Sequence, residues 1–512
     1  MTSNLAAVLT ALALAAAPPP QKPVNASPAA AAPQAVPGGN GKPRSGSATF
    51  IPTKDIKVEV FKTQDGKTGW KARIPGARAL ATPAVVGGMV FVGGGFGSRE
   101  FYAFQADTGK PAWALRLSDD GPTAAVVSEG RVIFNTESCT LFVADAKTGK
   151  HLWSRWLGDP LMSQPAVHEG VIYMAYPSAG GHRLIALALA DGARKFEVPI
   201  AGDIMSAPVV EGDSVYLTTF DGTVYRHALA DGALVWKKEM QATSAPWIQD
   251  GEVHVAQRSA GAAQPTEGLR TMSKSGGAHL GELKAAKPAP HLDPKVQDRS
   301  GYAAKQAKDD GSVGFAGGAP EIAKTGIAKG NVGTGTVRGL WEYQGSRPVK
   351  TNAKSFAATQ GDVVRGIDSE SGKVLWEKKL EGDLAKVGGQ LASPPAFAGG
   401  KLVVGTTAGQ IVGYEAESGK ELFRYPVGEE IRFQPALVGG SIFAGTSAGT
   451  LVAIATGDAA LDGWTMWGGG PEHNGQRELP LKVAEKKEAP AKEPEKKEEP
   501  QAPIEPSTSK SQ

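Results

Sequence analysis

What limits the fold of this 512-residue chain most severely is an eleven-residue phrase, repeated along it, in which a glycine is followed four residues later by an aromatic side chain. Copies run from Ala103 to Trp113, Val143 to Trp153, Ala186 to Phe196, Arg226 to Trp236, Gly366 to Trp376 and Gly413 to Phe423. The first four aromatics, Trp113, Trp153, Phe196 and Trp236, stand 40, 43 and 40 residues apart. That is the period of a four-stranded propeller blade. A degenerate copy over 273–280 puts Leu280 in the aromatic place. Length alone suggests two or three domains, but repeats of this kind stack into one body.

Ahead of most phrases stands a second signature, a Pro with Ser or Thr just before it, followed by an apolar run and a glycine turn. Examples are Thr82-Pro83, Ser163-Gln-Pro165, Ser206-Ala-Pro208, Ser244-Ala-Pro246 and Ser393-Pro-Pro395; Phe433-Gln-Pro435 opens the last unit. Proline has no amide to give a sheet, so it belongs at a strand's beginning. The abundance of glycine (66) and proline (36) fits many short strands joined by turns and argues against a helical chain. Within each phrase, Asp, Ser or Thr can bond the turn backbone, glycine supplies positive φ, and the aromatic can lie flat between neighbouring blades. The docking residues are therefore expected at Gly109 and Trp113, Gly149 and Trp153, Gly192 and Phe196, Gly232 and Trp236, Gly372 and Trp376, and Gly419 and Phe423.

The phrase Ala-x-Asp-x-x-Thr-Gly-Lys-x-x-Trp at 103–113 resembles the tryptophan-docking motif of propellers of the pyrroloquinoline-quinone-like repeat family. That family includes the quinoprotein alcohol dehydrogenases and the propeller of the outer-membrane β-barrel assembly machinery. The resemblance covers about residues 60–475 and implies an all-β fold: a single eight-bladed β-propeller of four-stranded antiparallel blades. No aromatic follows Gly457 at the right distance, so the last blade needs an edge from elsewhere. Val58–Phe61 and Gly66–Trp70 resemble an outer strand and its turn, so N- and C-terminal strands are expected to close the ring together. Trp464 to Gly475 resembles an aromatic, glycine-rich family segment near that closure. Its tryptophans, Trp464 and Trp467, are expected on the propeller's side, with His473 and Asn474 in solvent.

Outside the ring, Leu5–Ala17 is an apolar run of signal-peptide length before Pro18-Pro19-Pro20, although no Lys or Arg precedes it. The expected layout is a signal peptide over 1–17, a disordered Ala/Pro/Gly linker over 18–50, the propeller over 51–477 and a disordered Lys/Glu/Pro tail over 478–512. The 96 residues between Leu280 and Trp376 exceed one period, which predicts a low-complexity insertion at about 281–336. The apolar run is too short to span a bilayer, no later transmembrane segment is expected, and no cysteine follows the run to accept a lipid. A periplasmic or otherwise extracytoplasmic, non-lipidated monomer is the expectation.

A formal charge of +3, with acids and bases interspersed, disfavours nucleic acid as a partner. The single cysteine, Cys139, cannot form an intramolecular disulfide, a Cys-x-x-Cys pair or a four-thiol zinc site, and reads as a small apolar side chain in a strand. The quinoprotein dehydrogenases that the family includes imply a vicinal cysteine pair over the quinone and a calcium site, and one cysteine cannot supply that pair. The eight histidines make no His-x-x-x-His pattern, and Gly93-Gly-Gly-Phe-Gly-Ser lacks the lysine of a phosphate loop. The expectation is no catalytic, cofactor-binding or metal residue, no cofactor, and a scaffold for protein partners in the cell envelope. The alternative is a quinone-dependent dehydrogenase or a quinone or small-ligand sensor using the central funnel.

Overall fold

The computed structural model describes residues 46–284 and 349–470, apart from 159–163, 259–266, 351–353, 358–361, 384–390 and a few shorter stretches. The expected signal peptide, most of the linker and of the insertion, the Lys/Glu/Pro tail, Gly372, Trp467, His473 and Asn474 lie outside the described residues. Contacts divide the chain into Met1–Arg44 and Ser45–Gln512, and the architecture below belongs to the second unit.

The described residues contain no helix and form eight antiparallel sheets. Each follows the sequence pattern: a three-residue or shorter first strand, a hairpin, two longer strands, and an outer strand ending the phrase. In the first sheet these are Ala84–Val86, Met89–Gly93, Glu100–Gln105 and Pro111–Leu117. In the second they are Val126–Ser128, Arg131–Phe134, Thr140–Asp145 and His151–Trp156. The first strands of neighbouring sheets approach one another: Ala84–Val86 meets both Val126–Ser128 and Ala436–Val438, the first strand of the eighth sheet. The signature prolines Pro83, Pro165, Pro208, Pro246, Pro395 and Pro435 stand immediately before these strands. Their hydroxyl companions have a job that the sequence did not reveal. Ser244 and Ser393, and Thr123 at the corresponding place of the second sheet where Ala125 replaces the proline, accept through Oγ the amide of the residue twelve positions on, at 2.9, 2.9 and 3.1 Å, which satisfies a buried N–H at the hairpin's far end.

The eighth sheet is completed by the chain's beginning. Thr68–Arg73 pairs antiparallel with Thr450–Ala455, and Lys57–Lys62 adds a fifth strand outside it. This register places Trp70 opposite Ala453, as Trp113 stands opposite Ala103. The aromatic absent after Gly457 is thus supplied from the N-terminal side.

Two boundaries need correction. The linker expected over 18–50 ends earlier, because Ala48–Phe50 pairs with Leu115–Leu117 as a fifth strand on the first sheet, while the Ser154 hydroxyl of the second sheet donates to Gly46 O at 2.6 Å. Backbone pairing, which small residues satisfy as well as large ones, outweighs the linker-like composition there. The insertion cannot begin at 281, since His279–Lys284 is the outer strand of the fifth sheet.

Four of the loops between second and third strands share a device. Thr136, Thr219, Thr406 and Thr446 bond the strand start four residues later through their hydroxyls. Gly222, Gly409 and Gly449 supply φ of +82°, +77° and +87° in the last three, and Cys139 takes that place in the first at φ +60°. The single cysteine is buried, as expected, but in a left-handed turn position that ordinarily favours glycine.

Candidate functional site

Trp70, Trp113, Trp153, Phe196 and Trp376 rest on the turn glycine of the next sheet, where a Cβ would collide with the ring, whereas Phe423 lies over Gly413 of its own sheet. On Gly149 a Cβ would lie 2.6 Å from Trp113, on Gly192 3.0 Å from Trp153, on Gly232 2.5 Å from Phe196, and on Gly419 2.5 Å from Trp376. Gly109 receives Trp70 at 2.5 Å. The indole N–H then donates to a carbonyl of the same turn: Trp70 to Ala106 at 2.9 Å, Trp113 to Ala146 at 3.1 Å, Trp153 to Leu189 at 3.0 Å and Trp376 to Ala416 at 3.0 Å. The face of the ring buries apolar surface while its one polar atom is satisfied. Trp70 belongs with these residues, and the alternation of Thr68–Arg73 with Thr450–Ala455 was the signal that could have added it.

The junction from the fourth to the fifth sheet departs from this pattern. Trp236 donates to Lys274 O at 3.0 Å, yet a Cβ on Gly276 would meet nothing within 4 Å. Opposite Trp236 stands Arg226, where the other phrase aromatics face Ala, Val or Gly. Its guanidinium donates to Lys274 O at 2.7 Å and to Ser214 Oγ at 2.7 Å, and Lys274 pairs with Glu211. A polar seam replaces the glycine stack where the phrase degenerates.

On the loop face, Asp119, Asp120 and Glu137 converge between the first two sheets. Asp119 accepts the hydroxyls of Thr136 and Ser138, both at 2.6 Å, and Glu137 accepts the Gly97 amide at 2.6 Å. Burial, reinforced by Asp120 and Asp119 and opposed by the Gly97 amide and Arg78, pushes the Glu137 carboxyl up to about 7. Burial and Asp119 raise Asp120 as well. Composition gave no sign of this cluster, because Glu137 is 17 and 18 residues from the two aspartates and meets them only once the loops of the first two sheets are folded together. Among the described residues no group of three or more His, Cys, Asp or Glu is placed to hold a metal ion.

Outer strands carry exposed apolar side chains at Leu152, Val235, Leu375 and Leu422, each immediately before a docking aromatic. Strand alternation forces this: turning the aromatic inward turns its neighbour outward. Trp464 is not on the propeller's side. It is buried against the first strand of the eighth sheet, bridging to Leu437. No described helix is long and apolar enough to cross a membrane.

Eight sheets, first strands meeting first strands, and aromatics docked from one sheet to the next define a β-propeller of the pyrroloquinoline-quinone-like repeat class. A family model described as "outer membrane protein assembly factor BamB" matches residues 54–160, 143–342 and 359–489, and the chain belongs to that family. Curated relatives of that name include one from Bordetella pertussis (strain Tohama I), 25% identical over 40% of this chain and 56% of its own length. Another, from Nitrosomonas eutropha, is 22% identical over 42% of this chain and 57% of its own. The chain thus matches little more than half the length of these relatives. Among solved structures, BamB from Moraxella catarrhalis is similar at TM-score 0.51 and 12% identity, over 78% of this chain and all of that one. Sqt1 from Saccharomyces cerevisiae is similar at TM-score 0.53 and 11% identity, over 74% and 96%. At these identities the structural likenesses speak for the fold alone.

Proposed function

We propose that the chain is a non-catalytic, periplasmic scaffold that binds protein partners during outer-membrane protein assembly. The observation that carries this reading is the family match, which extends from residue 54 to residue 489 in three overlapping or neighbouring stretches and so takes in nearly every sheet. The eight sheets are read as eight blades of one ring, closed by Thr68–Arg73 on Thr450–Ala455 and held blade to blade by the docking aromatics. The segments before residue 46 and after residue 477 are read as an export signal with its linker and as a tether. The comparisons give the expectation of a non-lipidated chain no support.

Chemistry in the site agrees with a scaffold. The acids of the phrases serve turns, as Asp145 does for Thr148 and Asp368 for Ser371. The one cysteine is committed to a turn inside the core. Crosslinking in the native envelope, followed by identification of the adducts, tests the reading; it requires a component of the outer-membrane assembly apparatus among them. Purified protein should show no rise in melting temperature with pyrroloquinoline quinone and calcium, because a ligand that binds the folded state must raise it. A saturable rise with dye-linked alcohol oxidation would replace this reading with the enzymatic one.

A further inference from the structure

After its last strand the chain turns back across the hairpins and runs to the innermost strands. The Gly440 amide donates to Leu461 O at 3.0 Å and the Gly439 amide to Asp462 Oδ1 at 3.1 Å, which steers the segment inward. Trp464 then exchanges backbone hydrogen bonds with Leu437 in the eighth sheet, at 2.7 and 3.2 Å. One residue on, Thr465 O accepts the Val85 amide of the first sheet at 2.9 Å. Val85 and Leu437 are almost wholly buried, at 1% and 0% exposed, so their amides would lack partners without this segment. The side chains on either side of Thr465 divide between two parts of the core. Trp464 packs in the cluster containing Ala396, Ala398 and Leu437, and Met466 in the cluster containing Ala84, Val126 and Val167. Gly468 closes the run by donating to Gln434 Oε1 at 3.3 Å, and Gln434 Nε2 donates to Pro395 O at 2.6 Å.

We propose that the inner edges of Ala84–Val86 and Ala436–Val438 form a peptide-binding groove, occupied in cis by Trp464, Thr465 and Met466, and that this segment is an exchangeable clasp across the seam between the first and last sheets. It binds as an added strand does: main-chain bonds to exposed edges give the attachment, and alternate side chains enter pockets for specificity. The ligand is an extended segment with an indole at one position, a thioether two residues on, and glycines beyond it. The outer closure by Thr68–Arg73 is a separate attachment, so the ring has one clasp on each side of its seam.

The test uses the full chain with a protease site inserted between Asp462 and Gly463, where a side chain on Gly463 would meet open space. After cleavage, the fragment beginning at Gly463 should co-elute with the ring at micromolar protein. Excess synthetic peptide of sequence 461–470 should chase it off, whereas the same peptide carrying Trp464→Ala should not. Removing the fragment should speed hydrogen exchange at the Val85 and Leu437 amides by about tenfold or more, since each loses its partner. A fragment that resists the chase, or whose loss leaves those two amides as protected as before, would overturn the proposal. Should the insertion prevent folding, Trp464→Ala in the uncut chain gives the same reading: faster exchange at Val85 and Leu437 with Ile133 unchanged supports the clasp, and unaltered protection at both refutes it.

Discussion

Gly149→Ala puts the docking geometry to a quantitative test. Two costs are expected there. The residue holds φ at +73°, where an L side chain costs about 1–2 kcal/mol. In addition, the new methyl would lie 2.6 Å from Trp113 Cδ2 and 2.9 Å from Cε3 and Cγ, so the indole must move off the turn. Trp113 is 5% exposed and donates to Ala146 O at 3.1 Å, and displacing it sacrifices part of the 3–5 kcal/mol typical of removing a buried tryptophan. Together these give a loss of about 3–4 kcal/mol. Gly130→Ala is the control: φ is +71°, but a Cβ there meets nothing within 4 Å, so only the backbone cost of about 1–2 kcal/mol remains. Urea unfolding of the two variants, followed by tryptophan fluorescence, measures the difference. A double-mutant cycle with Trp113→Leu should recover most of the excess as coupling. Equal losses at the two glycines, or no coupling to Trp113, would refute the stacking argument.

Three further outcomes follow from the same geometry. Because Glu137 is raised to about 7, the folded state keeps a proton that the unfolded chain releases at lower pH, so stability falls as pH rises from about 4.5 to 7. Glu137→Gln should flatten that slope, by at most about 3 kcal/mol across the window, in melts taken from pH 4 to 8. Cys139→Gly should leave the melting temperature within about 1 °C or raise it, since relief at φ +60° offsets the lost thiol packing, whereas the β-branched Cys139→Val should lower it. Arg226→Ala should cost about 1–3 kcal/mol by removing its charged hydrogen bonds to Lys274 O, Ser214 and Asp213, and should speed hydrogen exchange in Arg270–Lys274 relative to the second sheet.

The fold was legible where its physics is local. Asp145, Thr148 and Gly149 build a turn whose chemistry is visible in five consecutive letters, and its repetition sets the period. What each aromatic touches was less legible, since Trp113 rests on a glycine 36 residues downstream and Trp70 on one 39 downstream, across a sheet boundary that no periodicity encodes. Ala48–Phe50 was read as linker because its strand is held by backbone pairing and not by apolar alternation. Arg226 broke the apolar rule at its position, and the compensation lies in Lys274 of another sheet. The Asp119, Asp120 and Glu137 cluster likewise depends on the connection between the first two sheets folding onto a loop of the second, and the inner lodging of Trp464 on the eighth sheet meeting the first.

The central claim is that this propeller serves outer-membrane protein assembly as a scaffold, and depletion in the native cell tests it most directly. Quantitative proteomics of the outer membrane after depletion should show β-barrel proteins falling while their transcripts hold steady, with recovery on expression of the wild-type chain but not of a ring-destabilised Gly149→Ala variant. Unchanged barrel levels in cells lacking the protein would contradict the account.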